Sequence, residues 1–140
     1  MMTNICSEKL TESRDFYTKL FDFSVDYDSD WFVHLISKDQ KLELEILSRT
    51  SEVVPDGFQK DPQGFYLTFV VENAADVHEV AKNEGLEVLR EPSDTFYGQR
   101  RLLLKDPNGS GFAKFLRFLL RGSAFSGNAF LNLSLVGIVD

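Results

Sequence analysis

Two glutamates in one predicted strand are the side chains best suited to chemistry in this sequence. In residues 42–47, leucine and isoleucine alternate with Glu43 and Glu45. Because successive side chains of a strand point to opposite faces, both carboxylates share the face opposite the apolar side chains. Two carboxylates on one face favour a cationic ligand, and the alternative is an ordinary solvated strand face. A general-base role is also open, although no partner acid or oxyanion donor is evident beside them.

His34 is the histidine nearest to such a site. It alternates with Phe32 and Ile36, so it shares a face with apolar neighbours. We therefore expect it to line the core or a binding cleft rather than to ligate a metal. His78 lies off the inner stripe of a predicted helix, which indicates a surface position. With no Ser, Cys or Asp motif beside either histidine, the sequence does not support a nucleophilic triad.

The composition indicates a soluble globular protein. The 140 residues are 43% hydrophobic and carry a formal net charge of -7. A chain of this length buries a core without disulfides or metals, and the single cysteine, Cys6, excludes a disulfide framework or a Cys-rich zinc site. The acidity disfavours nucleic acid and anionic lipid as partners. No targeting segment or long apolar run is present, so we expect a cytoplasmic protein with no membrane partner.

The elements that must position these residues follow the same order twice. Apolar spacing predicts a helix over residues 11–21, and Asn73 can cap a second helix that ends at Gly85. Alternation and turn residues predict strands at residues 4–6, 23–27, 31–37, 42–47, 65–71, 86–89 and 99–105. The result is two βαβββ modules, over about residues 1–48 and 65–111, joined by a linker at 49–64. We expect one α+β domain over residues 1–140.

Residues 112–140 differ from the rest of the chain. They carry a net charge of +2, whereas residues 1–109 carry -9. Phe112, Phe115, Leu116 and Leu119 recur at i, i+3, i+4 and i+7, which predicts a basic amphipathic helix over residues 112–121. A final strand is predicted at residues 131–136. Packing of this helix on its own domain or on a dimer partner is favoured over binding at a membrane surface.

Three short motifs together resemble one known family. They are Leu10-Thr-Glu-Ser13 followed by Phe16-Tyr17, then Tyr97-Gly98-x-Arg100, and then Asp106-Pro-Asn-Gly109. In this order, on paired βαβββ modules, they resemble the glyoxalase / bleomycin-resistance / extradiol dioxygenase superfamily, known as the vicinal oxygen chelate fold. The resemblance covers residues 2 to about 111. The linker at 53–56 and the lack of insertions look most like the metal-free antibiotic-binding branch.

The resemblance implies a fold and a set of binding residues. The two modules would form a cupped mixed β-sheet around a cleft, and homodimers are common in the family. The acids of the predicted strand would then face the cleft together with aromatic side chains. One of two neighbouring arginines would also face it and would balance the negative charge of Glu43 or Glu45. The ligand-binding residues expected on this basis are Phe32, His34, Glu43, Glu45, Tyr66, Tyr97 and Arg101.

The resemblance also locates four metal-ligand positions used by active members of the metal-dependent branch. They fall at Met2 or Thr3, at Glu43, at Tyr66 or Leu67, and at Ala113. Only Glu43 offers a suitable side chain, so we expect no metal and no other cofactor.

The favoured function is therefore metal-free sequestration of a small cationic or aromatic ligand. One alternative is a divalent-metal-dependent lyase, isomerase or dioxygenase of the same superfamily. Another is an interaction protein that works through residues 112–140. This transfer of function rests on analogy of fold.

Overall fold

The computed structural model describes residues 2–96 and 98–109 with their side chains, and residues 112–118 as backbone. In chain order the elements are β1 (Met2–Ser7), α1 (Leu10–Phe21), β2 (Ser24–Asp28), β3 (Phe32–Ile36), β4 (Glu43–Ser48), β5 (Thr68–Val70), α2 (Ala74–Asn83), β6 (Val88–Asp94), β7 (Gln99–Lys105) and β8 (Phe112–Phe118). The expected α+β class and the two βαβββ modules are confirmed. The helices of this described part are too short and too polar to cross a membrane.

Each module builds its own four-stranded mixed sheet. The first sheet has the order β1-β4-β3-β2, and the second has the equivalent order β5-β8-β7-β6. In both sheets the first strand of the module pairs in parallel with the last, and the other pairs are antiparallel. The chain divides into two compact units. The first unit holds β1 to β4, α1 and the 106–109 turn, and the second holds β5 to β8 and α2.

The amphipathic helix predicted over residues 112–121 is wrong for residues 112–118, which form strand β8. Apolar residues spaced three and four apart also supply both faces of a short strand, so the spacing by itself was ambiguous. Pairing decides the outcome, because β8 lies between β5 and β7 and bonds to both. A helix there would leave the inner edges of β5 and β7 without their backbone partners. The strand predicted at 131–136 lies outside the described residues.

Helix α1 covers one face of the first sheet. Its buried residues include Phe16, Tyr17, Leu20 and Phe21, which are the apolar positions that the helical spacing predicted. The sheet presents to it the buried alternate residues of β3 and β4, namely Val33, Leu35, Leu44 and Ile46. Burial of each such side chain stabilises the fold by about 1.5–3 kcal/mol. The helix therefore fixes which face of the sheet is the core face.

The second helix begins and ends as the sequence predicted. The Asn73 side chain accepts a hydrogen bond from the Ala75 N–H at 3.0 Å, which satisfies one of the donors that a helix start leaves open. Gly85 follows the last turn with a φ of 67°, a left-handed conformation that glycine adopts without a steric penalty.

A buried polar cluster joins the 106–109 turn to the rest of the first unit. Asp106 is only 4% exposed. Its carboxylate accepts hydrogen bonds from the Asn108 N–H at 3.0 Å and the Asn108 side-chain amide at 3.2 Å. The Tyr17 hydroxyl, on α1, donates to the same carboxylate at 3.5 Å. A buried carboxylate is stable only with such donors, so the turn depends on α1.

Two buried serines extend the cluster to β1. The Ser7 hydroxyl donates to the Asn108 side-chain oxygen, and the Asn108 amide donates to the Ser13 hydroxyl at 3.2 Å. Ser7 also accepts the Lys9 N–H at 2.8 Å, immediately before α1. One asparagine thus links residues about a hundred positions earlier in the chain.

We predict that Asp106→Ala lowers the free energy of unfolding by about 2–4 kcal/mol. It removes a buried charged acceptor and leaves the Tyr17 and Asn108 donors short of a partner. Urea unfolding followed by circular dichroism measures the change. Asp94→Ala is the matched control, because Asp94 is exposed and forms an ion pair with Arg100 at 3.5 Å, and it should cost less than about 1 kcal/mol. Equal losses in the two variants would contradict the role given to the cluster.

We also predict that the burial of Tyr17 lowers the free energy of unfolding at high pH. Burial, and then the nearby Asp106 carboxylate, raise the pKa of Tyr17 well above its usual value. Below the ordinary phenol pKa of about 10, the Tyr17 hydroxyl keeps its proton in both the folded and the unfolded chain. Above that pH the hydroxyl ionises in the unfolded chain but not in the folded one, so the free energy of unfolding falls. Between about pH 8 and pH 11 this loss amounts to about 1.4 kcal/mol.

Urea unfolding at the two pH values checks this dependence. Tyr17→Phe should lose less stability over the interval than the wild type does. Tyr27→Phe, which changes an exposed tyrosine, should lose as much as the wild type. A Tyr17→Phe variant with the full pH dependence would show that another group causes it.

Candidate functional site

The candidate site is the face of the first sheet opposite α1. Phe32 and His34 on β3 and Glu43 and Glu45 on β4 are all half-buried on this face, while the alternate residues of the same strands are buried on the α1 side. The ladder pairs His34 with Glu45 and Ile36 with Glu43. Four of the seven residues expected to bind ligand therefore lie together, in the alternation that the sequence indicated.

Strand β1 completes this face on the other side of β4. In register, Met2 lies beside Glu43, Asn4 beside Glu45 and Cys6 beside Leu47. Met2 and Asn4 do not ionise, and burial raises the pKa of the Cys6 thiol and keeps it protonated. The three β1 side chains therefore add no charge to the face. The charges of the face therefore come from β2, β3 and β4.

His34 bridges two carboxylates across three strands. Its Nδ1 atom lies 3.1 Å from an oxygen of Asp26 on β2, and its Nε2 atom lies 3.1 Å from an oxygen of Glu43 on β4. Asp26 reaches the ring because the β2–β3 register shifts between Val25 and Tyr27. A bulge of this kind re-aims a side chain that regular pairing would point elsewhere.

The two contacts bear on the protonation state of the His34 ring. A carboxylate only accepts hydrogen bonds, and a neutral imidazole has a single N–H. A ring that donates to both Asp26 and Glu43 therefore carries both protons and a positive charge. In that doubly protonated form, the side chain, which is 17% exposed, makes two charge-assisted hydrogen bonds, which are about twice as strong as neutral ones.

Glu45 is the carboxylate of this face that stays open. It is half-buried on β4, and it makes no hydrogen bond or ion pair with any residue among those the structure describes. Its neighbour Glu43 is held by His34. A partly desolvated acid without a counter-charge attracts a cation more strongly than a fully solvated acid does.

An aromatic row borders the acids. Phe32 lies at its centre, with ring centroids 5.3 Å from Trp31, 5.9 Å from Tyr27 and 6.4 Å from His34. Trp31 is 43% exposed and Tyr27 is 53% exposed, so both present ring surface to solvent. Exposed aromatic rings beside carboxylates can stack on a planar ligand and also contact a cation.

The remaining expected residues are outside the first unit or outside the described part of the chain. Tyr66 precedes β5 and is half-buried, and Arg101 is half-buried on β7, opposite in alternation to the buried Leu102. Arg100 is exposed and pairs with Asp94 at 3.5 Å. Tyr97 lies outside the described residues.

The sequence reasoning missed Asp26, Tyr27 and Trp31 as members of the face. Alternation through residues 23–27 did predict a strand, and Tyr27 then shares a face with His34 once that strand pairs with β3. No local signal marks the bulge that turns Asp26 toward His34, because a bulge arises from how two strands pair.

The described residues of this face do not fit a resident metal ion. Within the part of the chain that the structure describes, no group of three or more His, Cys, Asp or Glu residues is arranged to hold one. The first position that the resemblance assigns falls at Met2 or Thr3, and the residue beside Glu43 is Met2, a thioether that hard divalent ions do not prefer.

A protein-family model described as the Glyoxalase/Bleomycin resistance protein/Dioxygenase superfamily matches residues 2–113. No curated protein matched the sequence. Among solved structures, a glyoxalase/bleomycin resistance protein/dioxygenase family enzyme from Burkholderia phytofirmans PsJN is 20% identical with a TM-score of 0.71. The match covers 84% of this chain and 97% of that one.

Two further solved structures have names that refer to antibiotics. TnmS3, an antibiotic binding protein from Streptomyces sp. CB03234, is 15% identical with a TM-score of 0.59, over 82% of this chain and 91% of that one. A bleomycin resistance determinant encoded on the transposon Tn5 is 16% identical with a TM-score of 0.59, over 86% and 98%. At these identities the likeness is one of fold.

We predict that the purified protein binds divalent metals at far below one ion per chain. Chelated protein would be incubated separately with Mn²⁺, Fe²⁺, Ni²⁺ and Zn²⁺, desalted and assayed by elemental analysis. Glu43→Gln serves as the control for any residual binding, since Glu43 is the sole suitable side chain at the assigned positions. One ion per chain, lost in Glu43→Gln, would favour the metal-dependent lyase, isomerase or dioxygenase instead.

Proposed function

Because the chain belongs to the Glyoxalase/Bleomycin resistance protein/Dioxygenase superfamily, we propose that it binds a small organic cation with an aromatic ring, without a metal, and sequesters it. The binding surface is the face of the first sheet that carries Phe32, His34, Glu43 and Glu45. TnmS3, an antibiotic binding protein of the same fold, supports a binding role for this chain, and so does the bleomycin resistance determinant.

The observation that carries the proposal is the open carboxylate of Glu45 beside an aromatic row. On this face Phe32 of β3 lies opposite Leu47 of β4, and the next pair along the strands is His34 opposite Glu45. Side chains two apart on a strand face are separated by roughly 6.6 Å. A planar ring over Phe32 would thus place a cationic group within reach of Glu45.

The two kinds of contact stabilise a ligand in different ways. Stacking on Phe32 and on the exposed rings of Trp31 and Tyr27 contributes about 0.5–1.5 kcal/mol for each well-formed ring pair, beyond the burial of apolar area. The carboxylate adds an attraction that requires a positive charge and weakens with salt. Ring and charge together make the face selective for aromatic cations over neutral aromatics or simple ions.

The proposal includes the other residues that the family resemblance indicates. We assign Tyr66, Tyr97 and Arg101 to ligand binding as well, each to be tested by its own substitution. We also propose that the chain is a single cytoplasmic domain that forms a homodimer, and of these features it is the homodimer that the resemblance implies.

We predict that Glu45→Gln weakens binding of N-methyl-4-phenylpyridinium by about tenfold, which is about 1.4 kcal/mol. This probe carries a fixed charge on a flat aromatic frame. Trp31 is the single tryptophan of the chain and is half-exposed in the aromatic row, so its fluorescence should change on binding. The double variant Glu43→Gln with Glu45→Gln should bind more weakly still and fold nearly as the wild type does.

Two controls separate charge recognition from general effects. Glu12→Gln makes the same chemical change on α1, on the opposite side of the sheet, and should bind as the wild type does. The analogue 4-phenylpyridine, uncharged at about pH 8, should bind about tenfold more weakly. Equal affinity for the charged and uncharged probes, or full affinity in the double variant, would sink the proposal. Unfolding of the double variant would instead assign the two acids a structural role.

A further inference from the structure

We propose that His34 determines the charge of the ligand by acting as a built-in cation on Glu43. In the free protein His34 holds Glu43, and Glu45 remains open, so the face offers one carboxylate and prefers monocations to dications. This inference rests on the proposed binding function and identifies the residue that sets its selectivity.

The position of His34 is fixed from three sides. Asp26 contacts one ring nitrogen, Glu43 contacts the other, and the Phe32 ring stacks against the imidazole at an interplanar angle of 21°. Displacing the ring from Glu43 would break a charge-assisted hydrogen bond and disturb this stack. A ligand that is to contact Glu43 therefore has to displace His34, whereas a ligand that contacts only Glu45 does not.

The spacing of the acids explains why a dication would otherwise fit. Glu43 and Glu45 lie two residues apart on the same face of β4, which separates them by roughly 6.6 Å along the strand. A flat dication with its charges about that far apart would contact both carboxylates. With His34 in place, its second charge would meet an occupied carboxylate and a positive ring.

The arrangement of the charges on the face agrees with this selection. The groups that surround His34 are Asp26 from β2 and Glu43 and Glu45 from β4, and β1 adds none. With a protonated ring these groups carry a net charge of -2, but Asp26, which is 56% exposed, and Glu43 both contact the ring. Glu45 is then the one carboxylate of these three that a ligand meets without a partner, so a monocation has its counter-charge and the second charge of a dication does not.

The test compares two probes of similar size and fixed charge by isothermal titration calorimetry. N-methyl-4-phenylpyridinium is the monocation, and methyl viologen, with a positive nitrogen in each ring, is the dication. At a fixed, mildly acidic pH, the wild type should bind the monocation more tightly. His34→Gln should raise the ratio of the methyl viologen affinity to the monocation affinity about tenfold over that of the wild type.

A double-mutant cycle assigns the effect to Glu43. When Glu43→Gln is present, His34→Gln should no longer change the ratio of the two affinities, because the carboxylate it would release is gone. If His34→Gln does not fold, Asp26→Asn provides the second variant. It removes one anchor of the ring at an exposed position and should shift the ratio in the same direction by a smaller factor.

The outcomes separate this inference from the proposed function. An unchanged ratio in folded His34→Gln, or a gain that persists with Glu43→Gln, would overturn the role of His34 even if Glu45 still binds the monocation. Failure of both probes to bind the wild type and His34→Gln would overturn the proposed function together with this inference. A merely structural histidine would weaken both probes equally.

Discussion

The pleat of β3 and β4 is the constraint on which both the core and the candidate site depend. Alternate side chains of a strand must point to opposite faces, so burying Leu44 and Ile46 beneath α1 forces Glu43 and Glu45 to the other face. A slip of one residue would bury both acids and expose the core side chains, at a cost of several kcal/mol. The energy that folds the first unit is thus the same energy that presents the acids.

A second constraint is the burial of polar groups around the 106–109 turn. The buried Asp106 carboxylate and the half-buried Asn108 side chain rely on Tyr17 from α1 and on Ser7 and Ser13 for partners. Such a cluster favours one arrangement strongly, because any other leaves donors and acceptors unpaired in a low dielectric. It joins the turn to the helix that covers the core face of the first sheet.

On the opposite face, the charges are arranged unevenly. Three carboxylates surround a single histidine, two of them bind it, and Glu45 keeps its charge available. The bulge in β2 creates this imbalance because it turns Asp26 toward the ring. Proteins of this fold serve different functions on one scaffold, so the chemistry of this face, rather than the fold, has to carry any statement about the ligand.

The sequence alone determined the features that arise locally. The period of two in residues 42–47 indicated that Glu43 and Glu45 share a face. The apolar spacing in residues 11–21 and the cap at Asn73 located both helices. These signals are reliable because each depends on neighbouring residues and on the geometry of one element.

Only the tertiary structure decided the features that depend on a partner distant in the chain. Residues 112–118 are a strand because β5 and β7 offer backbone groups on both sides, although their spacing also suits a helix. Asp26 reaches His34 because of a shift in strand pairing, and Asp106 meets Tyr17 across 89 residues. No local pattern encodes such contacts, because their free energy comes from groups that approach each other only after the chain has folded.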